Sequence, residues 1–426
     1  MSGQSFRFLH TSDFHLEQPL YGVAEVPEHL RDTFLDAPFQ AAQQVFELAV
    51  EHQVDFVILA GDIVQFHQSG PRAAMFLADQ FRRLASKGIS VYWIAGDVDR
   101  SEDWPATVDL PENVRFFPSD RSVQETHKRD GVALAKIIGV NSRGSGGLDY
   151  YADGASDLYT VAIQYGEFDP TKLTGFEVSY WALGGEHNRH TIPPSKTQGA
   201  AAHYPGTVQG RTPAESTPHG VTLVHVDENK QTRLDTIEAD ILTWVDAKVE
   251  IDDETTRDDL REILAARASE LKDQKSDGPI MIAWTITGGA RLALKSPGGR
   301  LADELIQELR QESGNDSRGW TVSLRWQGSE HVPAEWYEED SLRGDYLRKV
   351  RDMMEDGGDA LMFDPLFQED ESQRQGLDPM WLVWSQPAIR VNVSSCCEKL
   401  PLWERSCSAV RIESNRPHFL VKDEQS

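Results

Sequence analysis

Cysteine is scarce in this chain: its 426 residues hold three, Cys396, Cys397 and Cys407, all near the C-terminus. An odd, clustered set in a long chain is no disulfide framework, and without a CxxC pair it offers no zinc knuckle. Free thiols in a reducing compartment are the expectation. Long apolar runs are missing too. No stretch reaches the ~18–20 residues that a bilayer-spanning helix needs, so no membrane partner is expected. The opening MSGQSFRFLHTSDFH passes almost directly into strand-like sequence, without the charged and apolar segments of a secretory leader. A cytoplasmic location is the expectation.

Positive charge is the third shortage. Against 69 Asp and Glu stand 42 Lys and Arg, for a net charge of −27 that is spread over both halves of the chain. A protein that holds nucleic acid chiefly by neutralising phosphates leans the other way. The acidity counts against a broad DNA-binding face and leaves room only for a local basic groove. It suits a well-solvated surface.

What is present is a globular composition, 39 % hydrophobic and 26 % charged, with length enough for two or three domains. FRFLHTSD, DFVILAGD and ISVYWIAGD read as strands. AAQQVFELAVEH and AAMFLADQFRRLAS read as helices, the first with Ala42, Val45, Phe46 and Ala49 on one face. Strand, helix and strand at this spacing predict an α/β fold with parallel pairing. VALAKIIGV, YTVAIQYGEF, SYWALGG and GVTLVHVD follow as further strands, and RGSGGL, IPPSKTQGA and TPAESTPHG as loops. Past residue 240 the texture changes to a β-α-β-α-β series that ends near residue 330. We therefore expect a first domain over 1–240, a smaller α/β domain over 241–330, and a C-terminal extension over 331–426. EWYEEDSLRGDYLRKVRDMMED opens that extension as one predicted helix.

In such sheets ligands collect beyond the carboxyl ends of strands. Those ends carry an uneven share of the ionisable residues. TSDFH brings Asp13 and His15, LAGD brings Asp62, IAGDVD brings Asp97 and Asp99, and WALGGEH brings Glu186 and His187. Alternation along Asp13-Phe14-His15 sends both polar side chains to one side of an extended segment. Glycine before an aspartate permits a sharp turn. Carboxylate and imidazole converging from several strands are what a divalent transition metal takes. Each piece alone is commonplace, since a Gly-Asp at a strand end is usually a turn and Asp-x-His recurs by chance. Their order along the chain is the signal. Trp93 and Trp181 fall mid-strand and read as core, while Arg82-Arg83 and Lys128-Arg129 read as solvated basic pairs. His67 and His190 read as loop histidines.

The order DxH, GD, G-[N/D]-x-D and G-x-x-H resembles the calcineurin-like metallophosphoesterases. TSDFHL, YWALGGEH and YPGTVQGR further resemble the SbcD-type DNA-repair nucleases. The resemblance spans roughly residues 6–330. It implies a sandwich of two mixed β-sheets flanked by helices, with a smaller capping domain after it. It also implies divalent metal, Mn²⁺ by preference, held by Asp13, His15, Asp62 and His187. A second metal would take Asp62 with the residues at positions 97, 165 and 185.

Here the sequence departs from the family pattern. Where that pattern reads Gly-Asn-His, this chain reads Gly96-Asp97-Val98, so valine occupies the place of the catalytic histidine. Tyr165 stands where a metal-binding histidine is expected, and Gly185 replaces another. The first metal site is complete and the second is reduced to Asp62 with weaker candidates Asp97 and Tyr165. Weak or altered phosphodiester hydrolysis is the resulting expectation. Two alternatives stay open: a non-catalytic scaffold subunit, and a phosphatase or phosphodiesterase for a small substrate. By the same resemblance the partners would be DNA, a second copy of the chain, and an SbcC-like ATPase docked on the helix around Leu342 to Met354.

Overall fold

The computed structural model describes residues 4–66, 70–118, 120–140, 157–169, 178–197, 199–275, 278–289, 292, 300–314, 316, 318–327 and 334–355. The three cysteines and His67 lie outside them. Two helices and four strands come first: β1 (Phe6–Thr11), α1 (Glu28–Glu51), β2 (Phe56–Leu59), α2 (Pro71–Ala85), β3 (Ser90–Trp93) and β4 (Val114–Phe116); the helix α3 (Arg257–Gln274) comes much later. The strands of the next stretch are β5 (Val123–Arg129), β6 (Val132–Gly139), β7 (Tyr159–Tyr165), β8 (Tyr180–Gly184), β9 (His190–Ile192), β10 (Ala201–Tyr204), β11 (Gly220–Val226) and β12 (Thr232–Glu238).

These strands form two six-stranded sheets. One runs β12-β11-β1-β2-β3-β4 and the other β5-β6-β7-β8-β10-β9. In the first, β1 to β4 are parallel and β11 joins β1 antiparallel. In the second, β6, β7, β8 and β10 are parallel, with antiparallel β5 and β9 at the edges. Both sheets are mixed, as the α/β sandwich requires. Alternation along the strands decides the layering. Val57 and Leu59 of β2 face α1 and α2, where Phe46 and Phe81 meet them. Phe56 and Ile58 face the second sheet and pack with Tyr159, Val161 and Tyr180. A sheet covered on both faces needs strands apolar on both faces, hence the unbroken run FVIL. Trp93 is fully buried with its ring stacked 3.8 Å from that of Phe116, and Trp181 packs against Phe168. Both tryptophans are core.

Polar side chains also cross between the sheets. His10 Nδ1 pairs with the Tyr180 hydroxyl at 2.9 Å, and His203 Nε2 with the Thr222 hydroxyl at 2.8 Å. His203 Nδ1 pairs in turn with the Thr191 hydroxyl at 2.8 Å. Burial, with smaller contributions from Arg189 and His190, holds the His203 pKa down at about 3. In an unfolded chain it titrates near 6.5. Its contribution to stability is therefore complete above pH 6.5 and is lost as the pH falls from there towards 3. At pH 4.5 the loss amounts to roughly 3 kcal/mol, at 1.36 kcal/mol per unit. Urea midpoints measured from pH 7 to 4.5 should fall more steeply for the wild type than for His203→Gln. Parallel curves would show that His203 is not the group responsible.

The predicted β-α-β-α-β series is present as β13 (Thr243–Ile251), α3, β14 (Ile280–Gly288), α4 (Arg300–Ser313) and β15 (Gly319–Gln327), its strands in the order β13-β14-β15. A capping box at Thr256, which exchanges hydrogen bonds with Asp259, starts α3. Trp244, Met281, Trp320 and Val322 of these strands share a buried cluster with Leu30 and Phe34 of α1. The described residues of 1–250, 255–286 and 296–325 form one compact unit, and those of 251–254, 287–295 and 326–426 a second. The single helix expected after residue 334 is two: α5 (Ala334–Glu338) and α6 (Leu342–Glu355). Ser341 separates them, its hydroxyl accepting the Gly344 N–H at 3.3 Å in the manner of an N-cap. Among the described residues no helix is long and apolar enough to cross a membrane.

Candidate metal centre

The loops leaving β1 and β2 are built as a pair. The Asp13 N–H donates to the Gly61 carbonyl and the His15 N–H to the Asp62 carbonyl, both at 3.0 Å. These contacts hold Asp13, His15 and Asp62 at φ of 55°, 47° and 55°, in the left-handed region that L-residues seldom adopt. Such strain costs of order 1–3 kcal/mol per residue and persists where surrounding contacts impose it. Its result is to turn three ionisable side chains into one small volume.

Asp99 fixes the next pair of loops. Its Oδ1 accepts the N–H groups of Asp62 at 2.9 Å and Gly96 at 2.7 Å. Its Oδ2 accepts that of Ile63 at 3.1 Å and the Trp93 indole N–H at 2.9 Å. Burial raises its pKa to about 7, and the nearby Asp62 adds to the rise, while the N–H donors pull the other way. Asp99 is thus committed to holding the Gly61-Asp62 and Gly96-Asp97 turns together. Gly96 sits so near that a Cβ there would lie 2.2 Å from the Asp62 nitrogen.

Asp13, His15 and His187 present ligand atoms that all lie within 4.8 Å of one another. His15 Nε2 lies 3.2 Å from His187 Nε2, 4.0 Å from Asp13 Oδ1 and 3.9 Å from Asp62 Oδ2. Asp13 Oδ1 is buried and has no hydrogen-bond partner, while Oδ2 accepts the Gly185 N–H at 3.0 Å. Burial, followed by Arg211 and His187, pushes the His15 pKa down to about 3, so its imidazole is neutral and carries a lone pair. Burial raises the Asp13 pKa. Two imidazole nitrogens roughly 3 Å apart, as ligands ~2.1 Å from one ion would be, and an unpartnered carboxylate oxygen beside them fit a divalent cation.

His187 is oriented from behind. Its Nδ1 pairs with Glu215 Oε1 at 2.9 Å, and this contact is the main reason its pKa is raised. Glu215 Oε2 accepts the Arg211 N–H at 2.7 Å. The sequence signals only a loop at TPAESTPHG, so Glu215 has no mark there. Glu186 and His190, by contrast, are exposed and lie 3.5 Å apart, with the His190 ring stacked on Tyr204. The pairs Arg82-Arg83 and Lys128-Arg129 give three arginines in ion pairs, with Asp79, Glu47 and Asp55.

The other side of Asp62 is differently furnished. Its Oδ1 accepts the N–H groups of Asp97 at 2.6 Å and Val98 at 3.2 Å, and Oδ2 accepts the Tyr165 hydroxyl at 2.7 Å. Burial and the charge of Asp62 push the Tyr165 pKa up, so the phenol keeps its proton and acts as a donor. The Asp97 side chain is exposed. The Tyr165 ring fills the space between two glycines. A Cβ on Gly61 would lie 2.5 Å from its Cδ2, and one on Gly185 3.0 Å from its Cε2. Both glycines have positive φ, 93° and 96°. Tyr165 and Gly185 are therefore complementary: the ring occupies room that a side chain at 185 would need.

Residues 6–188 match the family model for calcineurin-like phosphoesterases. Over 335 residues, 74% of this chain and 80% of the relative, the sequence is 27% identical to a Bacillus subtilis protein named uncharacterized metallophosphoesterase YhaO. A solved dimetal phosphatase from Danio rerio is 11% identical, aligned over 52% of this chain and 92% of its own with a TM-score of 0.34. The stretch whose strand ends build this centre is thus similar to the calcineurin-like phosphoesterases and, over most of the chain, to a metallophosphoesterase.

Proposed function

We propose that the chain is a divergent metal-dependent phosphoesterase of SbcD-like descent that works with one divalent cation, held by Asp13, His15, Asp62 and His187. The observation that carries this reading is the buried, unpartnered Asp13 Oδ1 beside two neutral-capable imidazoles that face each other. A bound divalent cation supplies charge neutralisation at a phosphoryl oxygen and makes nearby water more acidic. Asp13 and Asp62 contribute the negative charge that attracts it, and His15 and His187 the nitrogen lone pairs. Tyr165 takes the place of a second cation, because its hydroxyl occupies Asp62 Oδ2 and its ring fills the adjoining space.

Val98 places no proton donor at the other end of the centre, where its N–H serves Asp62 instead. A leaving group must then take its proton from solvent. General acid catalysis commonly contributes ~10²–10⁴-fold, so hydrolysis of unactivated esters should be slow. The same feature supports a second reading, a scaffold subunit for DNA or an ATPase partner that has kept the fold and the cation. The net charge of −27 favours a small phosphate ester over DNA as substrate.

Titration with Mn²⁺ followed by elemental analysis should find one ion per chain. The loaded protein should cleave bis(p-nitrophenyl) phosphate, whose leaving group needs no acid, far better than linear double-stranded DNA. Uptake of one ion without hydrolysis of either would favour the scaffold. A chain that takes up no Mn²⁺, Zn²⁺ or Mg²⁺ would sink the proposal.

A further inference from the structure

We infer that Glu215 is a positioning residue for the cation site, setting the tautomer and ring angle of His187 so that Nε2 presents its lone pair to the ion. The inference rests on the reading of Asp13, His15, Asp62 and His187 as that site.

An ionised carboxylate only accepts hydrogen bonds, so Glu215 Oε1 at 2.9 Å requires the proton of a neutral His187 to sit on Nδ1. Nε2 is then the free nitrogen, and it is the one directed at His15 Nε2 and the Asp13 side. The His187 side chain is about a third exposed, so packing alone does not fix its ring. Glu215 does not move easily. It is 7% exposed, and its second oxygen accepts the Arg211 N–H at 2.7 Å. Its own N–H donates to the Thr212 carbonyl at 3.0 Å, and its carbonyl accepts His219 Nε2 at 2.9 Å. His219 Nδ1 lies 2.9 Å from the Thr207 hydroxyl. Arg211 is anchored by donation to the Pro19 carbonyl at 3.1 Å, in the segment that follows His15. The 211–219 loop is thereby tied to the chain on both flanks of the centre, and Glu215 is the side chain it delivers. A carboxylate behind a metal-bound imidazole raises ligand basicity as well as fixing orientation, and its loss typically weakens metal affinity 10–100-fold.

The test is a binding cycle on the full chain, read by isothermal titration with Mn²⁺. Glu215→Ala should weaken the dissociation constant 10–100-fold, and His187→Ala should weaken it at least as much. In the His187→Ala background, adding Glu215→Ala should cost less than a further twofold, because the residue it positions is gone. Glu215→Gln keeps an acceptor for Nδ1–H and should fall between wild type and Glu215→Ala. It also carries the test if the alanine variant does not fold by circular dichroism. Affinity of Glu215→Ala within twofold of wild type would overturn the inference. So would equal weakening in both backgrounds, which would make Glu215 a general support of the loop. A wild type that binds no ion would overturn the reading beneath it instead.

Discussion

Asp99→Ala should destabilise the first compact unit by about 4 kcal/mol or more, enough to leave it partly unfolded at 37 °C. The carboxylate accepts four N–H groups, three from backbone and one from Trp93, and is itself fully buried. Removing it leaves four buried donors without acceptors, each costing roughly 1–3 kcal/mol less whatever water can enter. A whole domain has only ~5–15 kcal/mol in hand. Asp99→Asn is a sharper probe. Its amide nitrogen would have to face two of the four donors, so about half the loss is expected. Urea unfolding followed by tryptophan fluorescence reads both, with Trp93 as a local reporter. A midpoint for Asp99→Ala within experimental error of wild type would show that the two Gly-Asp turns are held by something other than this hub.

The centre was legible in the sequence to the extent that its residues sit directly at strand ends. Asp13, His15, Asp62 and His187 follow β1, β2 and β8 within a few positions; parallel pairing of β1 with β2 brings the first three to one edge of their sheet, and His187 meets them from the end of β8 in the other sheet. Asp99 could be seen at a strand end as well, yet nothing in the linear order distinguishes a hub for N–H groups from a ligand. Glu215 was hidden, because it comes from a loop whose course depends on Arg211 and His219 rather than on any periodicity. The packing of Tyr165 between Gly61 and Gly185 is a fact of volume. The substitutions at 165 and 185 were readable, but not that one residue fills the space of the other.

The fold was read with the same bias. Buried strands such as FVIL announce themselves, while the edge strands β5 (VQETHKR) and β12 (TRLDTIE) are mostly polar and carry no clear period-2 pattern. The first helix was expected from Ala41, whereas α1 begins at Glu28 and contains Pro38. A proline inside a helix costs ~3 kcal/mol and is read as a stop. Here the turns before it bury Leu30, Phe34 and Ala37 in the cluster around Trp244 and Trp320, and that apolar burial outweighs the local cost. Tertiary packing overrode a local rule.

Asp62→Asn should lower phosphodiester hydrolysis about 10³-fold or more while leaving the fold intact. The substitution keeps Oδ1, which accepts the Asp97 and Val98 N–H groups, and its amide can donate to the Tyr165 oxygen in place of the present bond. What disappears is one negative charge 3.9 Å from His15 Nε2. A cation contributes several kcal/mol of transition-state stabilisation, and 1.36 kcal/mol is tenfold in rate, so losing its purchase on the site accounts for three orders of magnitude. Tyr165→Phe is the informative companion. It keeps the ring between Gly61 and Gly185 and deletes only the hydroxyl, so this variant should still take up one ion rather than two. Rates on bis(p-nitrophenyl) phosphate and metal stoichiometry, measured on the same preparations, separate the two effects. If Asp62→Asn hydrolyses as fast as wild type, the chemistry lies elsewhere. If wild type binds two ions, Tyr165 is a ligand or moves aside, and the one-cation reading fails at that residue.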